Sequence, residues 1–181
     1  MNSRLLGRII IALEVIILVG VTIHAPLTVW LGTVFPAADE LIKSWKELLM
    51  GLCLVLVIWY VTRQRKWQEL WSDWVIRLSA AYAGLHLVLL TWQPTGIAAA
   101  SAGLMIDLRY VLFMVLVYVT ARYIVGARRQ LLIGAGIGAG IVIGFAGLQV
   151  LLLPDDILGN IGYTKQTISP YLTVDMNHDY V

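Results

Sequence analysis

The chain has 181 residues, of which 60% are hydrophobic and 13% charged, with a formal charge of +2. A soluble globular domain carries about a quarter charged residues, so this composition points to the membrane and leaves no room for a separate soluble catalytic domain. The pI near 8.8 does not indicate nucleic acid, because the basic residues sit at the ends of apolar runs and form no phosphate-binding face.

In chain order, the apolar runs predict an all-α polytopic bundle over residues 1–153. Five spans are expected, at about 9–31, 41–61, 74–92, 104–125 and 131–153, each near the ~20 residues a membrane helix requires. The first span follows Arg4 and Arg8, but it is long, lacks a small-residue cleavage pattern and precedes further spans, so it reads as a retained anchor. Placing the N-terminus inside puts Arg4, Arg8, Arg63, Arg65, Lys66, Arg77, Arg122, Arg128 and Arg129 on the inner side, nine of the 13 basic residues. Residues 154–181 then form an external segment, expected to be an incomplete loop.

The tryptophans agree with this layout, because indole favours the headgroup level. Trp30, Trp45 and Trp92 fall at outer boundaries, and Trp59, Trp67, Trp71 and Trp74 at inner ones. Trp67, Trp71 and Trp74 are spaced i, i+4, i+7, which predicts a short interfacial helix that anchors the inner loop. Cys53 lies inside an apolar run and reads as a small hydrophobe. In the fifth span, Gly136, Gly140 and Gly144 repeat every four residues and predict a close helix-packing face.

Ionisable residues inside a span need a partner or a wet cavity. Glu14 and Arg77, at equal depth and of opposite sign, are expected to form a structural ion pair. In the outer half lie His24, Lys43, Lys46, Glu47, His86, Asp107 and Arg109. Lys43 and Glu47 can neutralise one another at i, i+4, whereas Asp107 and Arg109 at i, i+2 diverge. Arg109 therefore requires an acid from another helix or an anionic ligand. No metal-ligand spacing, serine-nucleophile elbow or cysteine–histidine pair is evident, and the acidic residues of the tail show no regular spacing.

Three stretches carry a family resemblance: Lys43-Ser44-Trp45-Lys46-Glu47-Leu48-Leu49; Asp107-Leu108-Arg109-Tyr110 followed by VLFMVLVYV; and the glycine-rich span leading into LLPDDILGNIGYTKQTISPYLTVDMNHDYV. Together they resemble the N-terminal half of an O-antigen ligase or polymerase-type membrane protein, over most of the chain. The resemblance implies transfer of a glycan from an undecaprenyl pyrophosphate carrier to an acceptor outside the bacterial cytoplasmic membrane, with no metal or cofactor. It assigns the carrier pyrophosphate to Arg109 and Lys46, with His24 and His86 nearby. The family's catalytic arginines and histidine belong mainly to a later external loop and helices, so His178 is not equated with them. The chain is accordingly expected to be a fragment, inactive alone, whose partners are the lipid-linked glycan, membrane lipids and a missing C-terminal half or partner helices. A non-enzymatic membrane subunit or transporter component is the alternative.

Overall fold

The computed structural model describes residues 2–92 and 97–152, without the side chains of 97–102. Every regular element in this range is helical: α1 (Ser3–Val34), a 3-10 turn (Pro36–Ala38), α2 (Asp39–Arg63), α3 (Trp67–Ser72), α4 (Trp74–Leu90), α5 (Ile97–Tyr123) and α6 (Ala127–Leu151). The tail from 154 onward, expected to be an external loop, lies outside the described residues.

Local chemistry accounts for the boundaries. Pro26 lies inside α1, which continues to Val34, three residues beyond the expected end of the first span. Asp39 and Glu40 open α2, where carboxylates oppose the positive helix end. Arg65 closes it in the left-handed region (φ 53°), with Lys66 N–H donating to Val61 O at 3.0 Å and Arg65 N–H to Thr62 O at 3.1 Å. Those two bonds form a Schellman ending, which satisfies carbonyls the helix leaves open. Gly126 (φ 82°) makes the turn between α5 and α6, a conformation that a side chain resists.

Among the described residues, three helical stretches are long and apolar enough to cross a membrane: Ser3–Val34, Gly103–Tyr123 and Ala127–Leu151. This fits a membrane protein. The expected second and third spans, α2 and α4, differ in kind. Five charged residues crowd the first three turns of α2, and α4 has 17 residues, just under the usual span. A short helix does form in the expected loop, α3, but it carries Trp67 and Trp71 only: Asp73 is extended and Trp74 opens α4.

The chain divides into two compact units, Met1–Ile17 with Glu47–Gly134 and Leu18–Lys46 with Ala135–Val181. The first unit holds an apolar core in which Leu6 and Ile10 of α1 join Cys53 and Val61 of α2, Ile76 of α4 and Leu116 of α5. Large apolar side chains remain outward-facing, such as Leu85 at 55% and Met105 at 74% exposure. Such a surface suits lipid far better than water.

In the second unit, α6 approaches α1 at Gly138. A methyl group there would stand 2.9 Å from Thr22 Cγ2 and 3.3 Å from the Leu18 carbonyl oxygen. Within the first unit, Gly134 meets Val15 in the same way, at 3.1 Å. At the expected packing face, Gly136, Gly140 and Gly144, no described residue lies within 4 Å of where a side chain would begin, so that face meets no neighbour within the described residues. Both series repeat every four residues along one helix, and rotation about its axis decides which meets a neighbour.

Candidate functional site

Arg109, on α5, finds its partner on α2. Its Nη1 donates to Glu47 Oε1 at 2.8 Å, Nη2 donates to the Tyr110 hydroxyl at 3.2 Å, and the guanidinium carbon lies 4.9 Å from the Tyr110 ring centre. The requirement for an acid from another helix is met within the chain. Glu47 is thereby taken from its expected partner, and Lys43 bonds instead to Asp39 Oδ2 at 2.5 Å. Asp39 precedes Lys43 by one turn, the favourable polarity for an i, i+4 pair.

Arg109 and Glu47 stand on the wall of a cavity of about 710 Å³ between α2, α4 and α5. Its remaining surface is largely apolar, with Met50, Ala80, Ala83 and Leu112 among the lining residues. An apolar cavity with one charged wall can hold a hydrophobic molecule that ends in an anion, because a guanidinium donates to phosphate oxygens as readily as to carboxylate.

His86 belongs to the same unit, with a different set of neighbours. Its ring lies 4.1 Å from that of Tyr82, its Nδ1 is 3.0 Å from the Tyr82 carbonyl oxygen, and Nε2 is 3.7 Å from Asp107 Oδ2. In the second unit, His24 and Lys46 come together. Trp45 Nε1 donates to His24 Nδ1 at 3.0 Å, and Lys46 Nζ contacts Nε2. Since the indole can only donate, Nδ1 is the acceptor. Trp45 also covers Gly20, one turn before His24. The residue expected to anchor at the headgroup level thus gives its N–H to a neighbouring helix.

The expected ion pair between Glu14 and Arg77 does not form. Glu14 is fully buried, and its Oε1 accepts from Thr120 Oγ1 at 2.7 Å and from Cys53 Sγ at 3.6 Å, while Oε2 has no hydrogen-bond partner. Arg77 donates Nε to the Trp71 carbonyl at 2.7 Å and lies 5.7 Å from the Trp74 ring centre. Equal depth along the helices did not determine azimuth. Glu14 turns toward α2 and α5, whereas Arg77 reaches back to the end of α3.

A polar clasp at α4 was absent from the sequence reading. Asp73 caps α4 by accepting Val75 N–H at 2.8 Å on Oδ1, and its Oδ2 accepts from the Tyr118 hydroxyl at 2.7 Å and from Arg122. The signal available in the sequence was Ser72-Asp73 directly before an apolar run, a helix-start pattern. Its long-range half, Tyr118 and Arg122, carried no local signature. The Tyr118 hydroxyl, the Val75 N–H and the Arg122 charge hold the Asp73 carboxyl below its ordinary range. The clasp therefore contributes stability that is complete above the unfolded value, about 3.9, and is lost as pH falls through the lower folded value. Asp73→Asn is expected to lower the unfolding midpoint at neutral pH and to flatten its decline below about pH 4. Thermal melts across that range check this, and an unchanged acid slope would remove Asp73 as its source.

Among the described residues, no three His, Cys, Asp or Glu side chains gather as metal ligands do. No protein-family model matches this chain, and neither does any curated protein or solved structure.

Proposed function

We propose that this chain serves an O-antigen ligase-like glycan transferase of the bacterial cytoplasmic membrane, which moves a glycan from an undecaprenyl pyrophosphate carrier to an acceptor at the outer face. The observation that carries the reading is Arg109 on the wall of the apolar cavity between α2, α4 and α5. A polyprenyl chain occupies such a cavity, and its pyrophosphate exchanges with Glu47 for the guanidinium. In the transfer step an acceptor hydroxyl attacks the anomeric carbon with inversion, the bond to the carrier oxygen breaks, and the cation stabilises the departing pyrophosphate. Lys46, His24 and His86 are the further carrier-binding candidates.

The accompanying topology has five spans, with the N-terminus inside and the C-terminus outside. It counts α2 and α4 as spans beside the three longer apolar stretches, and it rests on the basic residues and tryptophans at alternating helix ends.

A photoreactive polyprenyl pyrophosphate tests the site. It is expected to label the lining of this cavity, and Arg109→Ala should reduce labelling about tenfold or more, the loss of a charge-assisted hydrogen bond. Equal labelling of the variant would remove Arg109 from the site.

The alternative, a non-enzymatic subunit or transporter component, draws on the open Gly136, Gly140 and Gly144 face, which leaves space for a partner helix. Under that reading Gly140→Leu disrupts assembly and leaves lipid labelling unchanged.

A further inference from the structure

One end of the first unit collects positive charge. The Tyr60 hydroxyl donates to the Tyr123 carbonyl at 3.2 Å, Lys66 Nζ lies 5.8 Å from the Tyr123 ring centre, and Arg122 bonds to Asp73, so the ends of α2, α4 and α5 meet there. Gly7 against Ile124 brings in the first turns of α1. Seven basic residues lie in these segments, against two acids, Glu69 and Asp73. Both acids are engaged already, Glu69 by Lys66 at 2.6 Å and Asp73 by Arg122.

Arg128 and Arg129 extend this end at the start of α6. Both are exposed, and among the described residues no ion pair includes either. They border an open groove of about 550 Å³ whose other walls are Gly126, Leu132 and Ile133. Leu132 and Ile133 are 64% and 51% exposed, one turn further along the helix. The groove thus has a doubly cationic end and an apolar flank. In the same unit, Trp67, Trp71 and Trp74 present 37%, 54% and 71% of their surfaces, the side chains that favour the headgroup level.

We infer that this groove seats an anionic phospholipid, its phosphate between Arg128 and Arg129 and an acyl chain along Leu132 and Ile133. Charge complementarity selects an anionic headgroup over a zwitterionic one, and the apolar flank selects a lipid over a free anion. Two arginines that neutralise one phosphate at a membrane surface favour the anionic lipid about thirty-fold over a neutral competitor. The inference rests on the membrane placement of the helices and is independent of the transferase reading.

The test uses the full chain in neutral detergent, titrated with phosphatidylglycerol, phosphatidylcholine or inorganic phosphate, with bound lipid counted by native mass spectrometry. Phosphatidylglycerol alone is expected to bind and to raise the thermal midpoint. Arg128→Gln with Arg129→Gln should weaken that binding about thirty-fold, whereas lysine at both positions retains most of it. Maleimide reactivity of the buried Cys53 reports whether each variant is folded. Raising salt on the unmodified chain should also weaken binding by screening, a readout that needs no variant. Equal binding of phosphatidylcholine, full stabilisation by inorganic phosphate alone, salt-independent binding, or undiminished binding by the folded glutamine variant would each overturn the assignment.

Discussion

Replacing Glu14 by glutamine is expected to change stability by no more than about 1 kcal/mol, whereas Glu14→Ala should cost about 2–5 kcal/mol. Glutamine keeps the volume and the oxygen that accepts from Thr120. Its amide nitrogen takes the place of Oε2, which has no partner to lose, so one unsatisfied atom is exchanged for another. Alanine empties a fully buried site between α1, α2 and α5 and removes the acceptor for Thr120, which is itself buried. An ion pair with Arg77 would behave differently, because neutralising one member of a buried pair costs about 3–5 kcal/mol. Unfolding in mixed micelles, followed by maleimide capture of the buried Cys53, measures both changes. A glutamine variant as damaged as the alanine variant would mean that the carboxylate charge is required.

The second large effect separates the two glycine series of α6. Gly138→Ala is expected to destabilise by about 1–3 kcal/mol, the cost of overpacking. Its methyl would stand 2.9 Å from Thr22 Cγ2 and 3.3 Å from the Leu18 carbonyl, and backbone cannot swing aside as the tip of a side chain can. Gly136→Ala meets nothing within 4 Å and should be neutral or stabilising by up to about 1 kcal/mol, through helix propensity. Thermal midpoints of the two variants in the same detergent decide the matter. Equal losses would mean that both faces are packed, and a loss at Gly136 alone would restore the face that the longer repeat suggested.

These two cases show where sequence reasoning stopped. The run GAGIGAGIVIGFAG contains both Gly134–Gly138 and Gly136–Gly140–Gly144, and period alone cannot rank them. Positions two apart on a helix differ by about 200° in direction, so one series faces the neighbour when the other faces away. Glu14 and Arg77 failed for a related reason, since depth along a span is one coordinate and contact needs the rotation as well. Arg109 fared better. Its need for a partner followed from charge inside an apolar helix, while the identity of that partner, Glu47, depended on how α2 lies against α5.

Composition and apolar run length by themselves determined that the chain is helical and suited to a membrane, because backbone groups in lipid must be satisfied within each segment. Spacing also pointed to the short helix α3, although Trp74, the third member of the pattern, opens α4 beyond the extended Asp73. What tertiary structure alone decided was pairing: Glu47 with Arg109, Thr120 and Cys53 with Glu14, Asp73 with Tyr118 and Arg122, and Trp45 with His24. Each joins residues at least 21 positions apart. Such contacts depend on the azimuth of two helices at once, a quantity that neither hydropathy nor periodicity along one helix contains.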